Sequence, residues 1–275
     1  MSKCKTIALC NQKGGVLKTS VTINLGVGLA AHGKRVLIVD CDAQGDATTS
    51  LGWRKQDDLP VTLSTLLSKV ILDEPIPKNE GILHHKEGVD LVPANIELSV
   101  MEITLVGVMS REKMLKSYLE PIKPDYDYIL LDCPPSLSML TINALAASDS
   151  VIIPVQAQYL PAKGMTQLMQ TIHRTRKHIN PDLQIEGILL TLSDNRTNLS
   201  KNTAVLLREN YGKSMRIFDS AIPLSVKAAE ASSTGKSIFA YDPRGKAAQA
   251  YRQFVGEVIQ HDGKQRTKIR TADAR

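Results

Sequence analysis

Lys13 and Lys18 bracket the glycine pair of Lys13-Gly14-Gly15-Val16-Leu17-Lys18-Thr19-Ser20, and a hydroxyl follows the second lysine directly. Cations, glycines and a hydroxyl this close together are suited to gripping a polyphosphate. Glycines let backbone N–H groups converge on anionic oxygens, and a following helix adds the positive end of its dipole. In such a loop Lys18 would reach the β- and γ-phosphates and Thr19 would sit on Mg²⁺. The general pattern G-x-x-x-x-G-K-[ST] is met imperfectly, because Gln12 and Leu17 stand where it has glycine. A plain Gly-Gly turn between a strand and a helix is the competing reading. Three acids complete the set: Asp40 and Asp42 where the apolar run 36–39 ends, and Asp132 where the run 129–131 ends.

These residues need elements that deliver them to one place. Residues 6–10 are an apolar run with the look of a buried parallel strand, and residues 21–31 carry apolar positions at helical spacing. Strand, glycine turn and helix form the context a phosphate loop requires. Gly33 stands at the C′ position of that first helix. Ligands of open α/β sheets bind outside the carboxyl ends of the strands, so all three acids fall at the correct edge. Further strands are expected at 89–94, 151–155, 184–192 and 215–222. Helices are expected at 63–67, 97–119 (broken near Gly107), 138–147, 163–178, 198–211 (closed by Gly212) and 247–259. Residues 45–55 read as a short helix or loop. The alternation argues for one α/β domain with a mostly parallel sheet, spanning 1–260.

The pattern K-G-G-x-G-K-[ST], with its extra lysine at Lys13, resembles the deviant Walker A motif of the ParA/MinD ATPases. Val36-Leu37-Ile38-Val39-Asp40-Cys41-Asp42-Ala43-Gln44-Gly45 is similar to that family's second strand and first switch. Tyr126-Asp127-Tyr128-Ile129-Leu130-Leu131-Asp132-Cys133-Pro134-Pro135-Ser136 resembles its Walker B strand and second switch. Gly187 to Leu192, Arg196-Thr197-Asn198-Leu199-Ser200, Ile222-Pro223, Ala229-Glu230-Ala231 and Gly235-Lys236-Ser237 are similar to the C-terminal half of Soj-like ParA partition proteins. Two residues depart from the pattern. Leu17 replaces a glycine, which would strain the backbone if φ there is positive. Ala43 replaces a proline and loosens the switch.

The resemblance implies a single-domain P-loop NTPase fold, a mostly parallel twisted β-sheet flanked by helices on both faces. It implies ATP and Mg²⁺ as cofactors, with residues 13–20 around the phosphates and Pro223 near the adenine. By the same likeness Asp42 orients the attacking water, Asp40 and Asp132 support or hold the metal with Thr19, and Lys13 reaches into a partner subunit. A homodimer that binds nonspecific double-stranded DNA, a ParB-like centromere-binding partner and a cytoplasmic, nucleoid-associated location follow as expectations. Lys227 occupies a basic position that relatives use for DNA. Pro134-Pro135 could respond to the γ-phosphate as a switch. Two other readings are kept: a nucleotide-gated DNA-binding protein that hydrolyses little because of Leu17, and a MinD-like membrane-cycling ATPase.

Composition narrows these choices. The net charge of +6 suits a polyanionic partner without naming it. Arg174, Arg176 and Lys177, with His173 and His178, cluster at the end of the 163–178 helix. They serve either its dipole or a DNA-facing patch. Aromatics are only 4% of the chain, so the core is aliphatic, as covered parallel strands require. Cys4, Cys10, Cys41 and Cys133 lack metal-ligand spacing, and reduced buried thiols are expected. The pair His84-His85 reads as surface rather than metal-binding. No signal peptide and no membrane span is read from the chain. The stretch 261–275 carries Lys264, Arg266, Lys268, Arg270 and Arg275 with few apolar residues. It is expected to be a disordered basic tail, unlike an amphipathic membrane helix.

Overall fold

The computed structural model describes residues 4–157, 162–194 and 197–273. Arg196 and Arg275, and the side chains of Lys264, Arg266, Lys268 and Arg270, lie outside the described residues. The described strands are β1 (Lys5–Leu9), β2 (Val36–Asp40), β3 (Leu83–His84), β4 (Val89–Val92), β5 (Tyr128–Asp132), β6 (Ser150–Gln156), β7 (Gln184–Ser193) and β8 (Ile217–Pro223). They form one sheet in the order β3-β4-β2-β5-β1-β6-β7-β8. All pairs are parallel except the short edge pair β3–β4. The sheet, its mostly parallel pairing and its covered faces are as expected.

Successive residues of a strand point to opposite faces, and here both faces are covered, which is why the strands read as continuous apolar runs. Ile7, Leu9, Val36 and Ile38 pack with Leu25 and Leu29 of α1 (Lys18–Ala31) and with Tyr251, Phe254 and Val255 of α11 (Lys246–Asp273). Ala8, Leu37, Val39, Ile129 and Leu131 face a second set of helices, which follow the short α2 (Asp46–Ser50) in the chain. These are α3 (Leu63–Ile71), α4 (Glu97–Val106), α5 (Met114–Leu119), α6 (Met139–Ala147), α7 (Ala162–His178) and α8 (Asn198–Tyr211). Each fully buried aliphatic side chain contributes about 1.5–3 kcal/mol. The phosphate-loop helix is pressed closely against α11: a Cβ on Gly28 would meet Val255 at 2.5 Å.

The break expected near Gly107 is present, since Gly107 is the C-cap of α4. Two helices, α4 and α5, are separated by a turn in which Ser110 is left-handed (φ 55) and a single 3-10 turn spans Arg111–Lys113. Gly212 does close α8, but with φ −63 rather than a left-handed cap. Helical backbone in α11 continues to Asp273, through most of the segment expected to be a disordered tail. A buried polar cluster explains its first turn beyond Ile259. Tyr128 donates to Asp262 (2.8 Å), and Lys5 sits between Glu186 (2.8 Å) and Asp262 (3.6 Å). Past this anchor the sequence holds one large apolar residue, Ile269. No described helix is long and apolar enough to cross a membrane.

Candidate nucleotide site

β5 lies between β2 and β1, and the register sets Asp40 and Leu9 on either side of Asp132. The loop 10–17 leaves β1 directly after Leu9, so glycine loop and acids meet at the C-terminal edge by strand pairing alone. The loop is held on both flanks. Asn11 donates to Pro154 O (2.6 Å) and accepts from Lys13 N (3.0 Å), while Thr191 of β7 donates to the carbonyl of buried Val16 (3.0 Å). Gly15 has φ 71, which its lack of a Cβ permits. Leu17 has φ 66 and ψ 27 at the N-cap of α1. The strain anticipated for a positive φ is therefore present, while the loop keeps the backbone path a glycine would give. The Leu17 side chain is half-buried and packs against the core between α1 and α11.

Lys18 is buried, and its Nζ donates to Lys13 O (3.4 Å) across the loop. The Lys13 ammonium donates to Gln156 Oε1 (2.8 Å) at the end of β6. Gly14 faces the second switch, where a Cβ would lie 3.9 Å from Pro135. Thr19 and Ser20 occupy the first turn of α1, both half-buried.

The three acids differ in environment. Asp132 is fully buried. One oxygen accepts from Thr22 (3.0 Å), and the other, Oδ2, has no hydrogen-bond partner. Burial pushes its carboxyl up to about 6, against the nearby Thr19 and Thr22 hydroxyls and Lys18. An orphaned buried oxygen beside a threonine hydroxyl and a lysine fits a divalent cation, directly or through water. Asp40 is also fully buried, and its oxygens are used within the chain. Thr48 gives it both its N–H (2.9 Å) and its hydroxyl (2.7 Å), and Asp42 gives its N–H (3.2 Å). The same Thr48 hydroxyl accepts from Ala94 N (3.0 Å), joining the first switch to the end of β4. Burial, and then Asp132, push Asp40 up to about 8. Asp42 is half-buried and accepts from Gln44 N (3.1 Å). Burial raises its carboxyl and Lys18 opposes the rise.

Pro223 ends β8 beside Ser193 and lines a cavity of about 510 Å³ with Asp194, Lys246, Gln249 and Gln253. Lys227 opens α9 (Val226–Ser233) just beyond, and pairs with Asp242 at 3.2 Å. Arg174, Arg176 and Lys177 are exposed on the last turns of α7. That helix runs from the C-terminal end of β6 back towards the start of β7, so these cations end at the sheet edge opposite the loop. The nucleotide-site candidates are thus gathered at one edge, with Lys227 nearby and the α7 cations apart. Cys10, Cys41 and Cys133 line up beneath the site as free buried thiols. Burial pushes the Cys41 and Cys133 thiols up, which makes them poor nucleophiles. His84 is exposed and pairs with Asp90, and His85 lies against Trp53.

Sequence reasoning missed Asn11, Thr22, Gln156 and Thr191, polar residues in or beside apolar runs, and Thr48, which lies in a polar stretch with no such signal. For the first four, that polar interruption was the available signal.

The model of the AAA domain family matches residues 4–185. The chain is 45% identical over 254 residues to the sporulation initiation inhibitor protein Soj of Bacillus subtilis, covering 92% of this chain and 98% of that one. It is 39% identical over 266 residues to the chromosome partitioning protein ParA of Caulobacter vibrioides, covering 96% and 97%. Among solved structures, one titled cobyrinic acid a,c-diamide synthase from Mycobacterium smegmatis, with bound ATP analog and magnesium, superposes with a TM-score of 0.81. Its identity is 34%, covering 94% of this chain and 95% of that one. With likeness running from end to end of both relatives, the chain belongs to the ParA/Soj family of P-loop ATPases.

Proposed function

We propose that this chain is a partition ATPase that hydrolyses ATP to ADP and phosphate. In its ATP form it would pair with a second copy and bind duplex DNA without sequence preference, and hydrolysis would release both. The observation that carries the reading is the site itself: Lys18, Thr19 and the orphaned Asp132 Oδ2 at one edge, with Asp42 beside them. Residues 13–20 would surround the phosphates, the base would lie towards Pro223, and Mg²⁺ would be held by Thr19 and Asp132. When bound, the ion would neutralise charge on the β- and γ-oxygens. Asp42 would orient the attacking water, and Asp40, tied to Thr48, would keep the first switch in shape. Lys13 would reach the partner's phosphates and stabilise the charge of the transferring group, as an arginine finger does elsewhere.

The DNA segregated would be a plasmid, a chromosome or an integrative element, with a ParB-like centromere-binding protein as the stimulating partner. Basic residues such as Lys227, Arg174, Arg176 and Lys177 would contact phosphates from the two subunits. The reading in which Leu17 abolishes turnover is disfavoured, because Leu17 already takes the backbone conformation of a glycine. The test is phosphate release with Mg²⁺ and duplex DNA. Wild type should turn over slowly, and Asp42→Ala should fall by about a hundredfold or more while still binding ATP. Equal release by both proteins would overturn the assignment.

A further inference from the structure

Lys13 is tied twice to the end of β6 within its own subunit. Its backbone is fixed through Asn11, which spans Lys13 N and Pro154 O. Its side chain is fixed by the 2.8 Å bond from Nζ to Gln156 Oε1. Gln156 is itself well placed to hold it, being paired in register with Thr191, the residue that grips the carbonyl of Val16. One small framework thus sets the loop's path and the direction of its first lysine. A lysine that swings towards another subunit's phosphates would trade this bond for theirs. An amide acceptor suits the exchange, since it orients the ammonium without the opposite charge that would hold it more strongly.

Resting on the reading above, we propose that Gln156 is a positioning residue, which holds Lys13 in cis in the monomer and gives it up when two ATP-bound subunits close. It therefore sets the position of the monomer–dimer equilibrium without touching nucleotide. A carboxylate at this position would retain Lys13. A side chain of similar length with no strong acceptor would release it.

The experiment measures ATP-dependent dimerisation by analytical ultracentrifugation for wild type, Gln156→Glu and Gln156→Met. Labelling of Lys13 by acetic anhydride in the nucleotide-free monomer is read by mass spectrometry alongside. Gln156→Glu should weaken the dimer by about tenfold, the scale of one charge-assisted pair, and lower Lys13 labelling. Gln156→Met should tighten the dimer several-fold and raise labelling. Binding of a fluorescent ATP analogue to the monomer should stay unchanged in both. A folding defect would weaken both variants together, so the opposite directions identify the proposed role. If wild type dimerises but the two variants match it, or shift the same way, Gln156 does not position Lys13. If wild type does not dimerise with ATP, the parent reading fails and this inference fails with it.

Discussion

Replacing Leu17 by glycine should leave stability almost unchanged, and the reason can be worked from the backbone. Leu17 sits at φ 66, ψ 27, a conformation that costs an L-residue about 1–2 kcal/mol. Glycine would recover that amount. It would also lose about 0.5–1 kcal/mol through the greater freedom of the unfolded chain. Removing a half-buried leucine side chain from the core between α1 and α11 costs about a further 1 kcal/mol. These contributions cancel to within about 1 kcal/mol, or roughly 2–4 °C in Tm for a chain of this size. Leu17→Val is the informative contrast, because a β-branched residue in the left-handed region is a true outlier. It should destabilise by about 1–2 kcal/mol or more and weaken ATP binding as the loop pulls away from its path. The assays are thermal unfolding and titration with a fluorescent ATP analogue. Leu17→Val matching wild type in both would refute the left-handed geometry. A gain in turnover of tenfold or more in Leu17→Gly would refute the claim that the side chain is kept out of the chemistry.

Two further predictions concern buried charge. Asp40 has its carboxyl raised to about 8 and Asp132 to about 6, so the folded state keeps protons that the unfolded chain gives up. In protein free of nucleotide and magnesium, stability should therefore fall as pH rises from the ordinary carboxylate range through about 8, by up to about 1.4 kcal/mol per pH unit for each group. Urea midpoints should show the decline in wild type and a flatter profile above roughly pH 6 in Asp40→Asn; a flat wild-type profile would contradict the burial argument. Glu186 is the opposite case: burial alone would raise it, but Lys5 and His261 outweigh that and hold it below its ordinary value. Its stabilisation is present at neutral pH and is lost as pH falls through the depressed value. Lys5→Met should cost about 3 kcal/mol at neutral pH by stranding that carboxylate, and an unshifted urea midpoint would show the pair to be dispensable.

The features legible in the sequence were those with local signatures. The runs ending in Asp40 and Asp132 announced buried parallel strands, and the spacing of Lys13, Lys18 and Thr19 announced a phosphate loop between strand and helix. Leu17 was visible as a departure, but the sign of its φ was not, since that depends on how the loop is pinned by Asn11 and Thr191. Contacts such as Lys13–Gln156 and Lys5–Glu186 join residues 143 and 181 positions apart, and no local pattern encodes them. The helices α9 and α10 (Ile238–Tyr241) escaped because α9 is mostly Ala and Ser and α10 is only four residues long, too short to show a helical period; serine caps at Ser225 and Ser237 start them. The continuation of α11 left no apolar period to read, and its hold at Asp262 comes from Tyr128 and Lys5, distant in sequence.

The most direct test of the account mixes two inactive proteins. Lys13→Ala lacks the lysine that acts on the partner's nucleotide, and Asp42→Ala lacks the acid that acts on its own. In a mixed dimer the Lys13→Ala subunit keeps its Asp42 and receives Lys13 from its partner, which restores one complete site. An equimolar mixture should release phosphate at about a quarter of the wild-type rate, because about half of the dimers are mixed and each has one working site of two. A mixture as silent as its two components, in a wild type that turns over, would contradict a sandwich dimer in which Lys13 works across the interface.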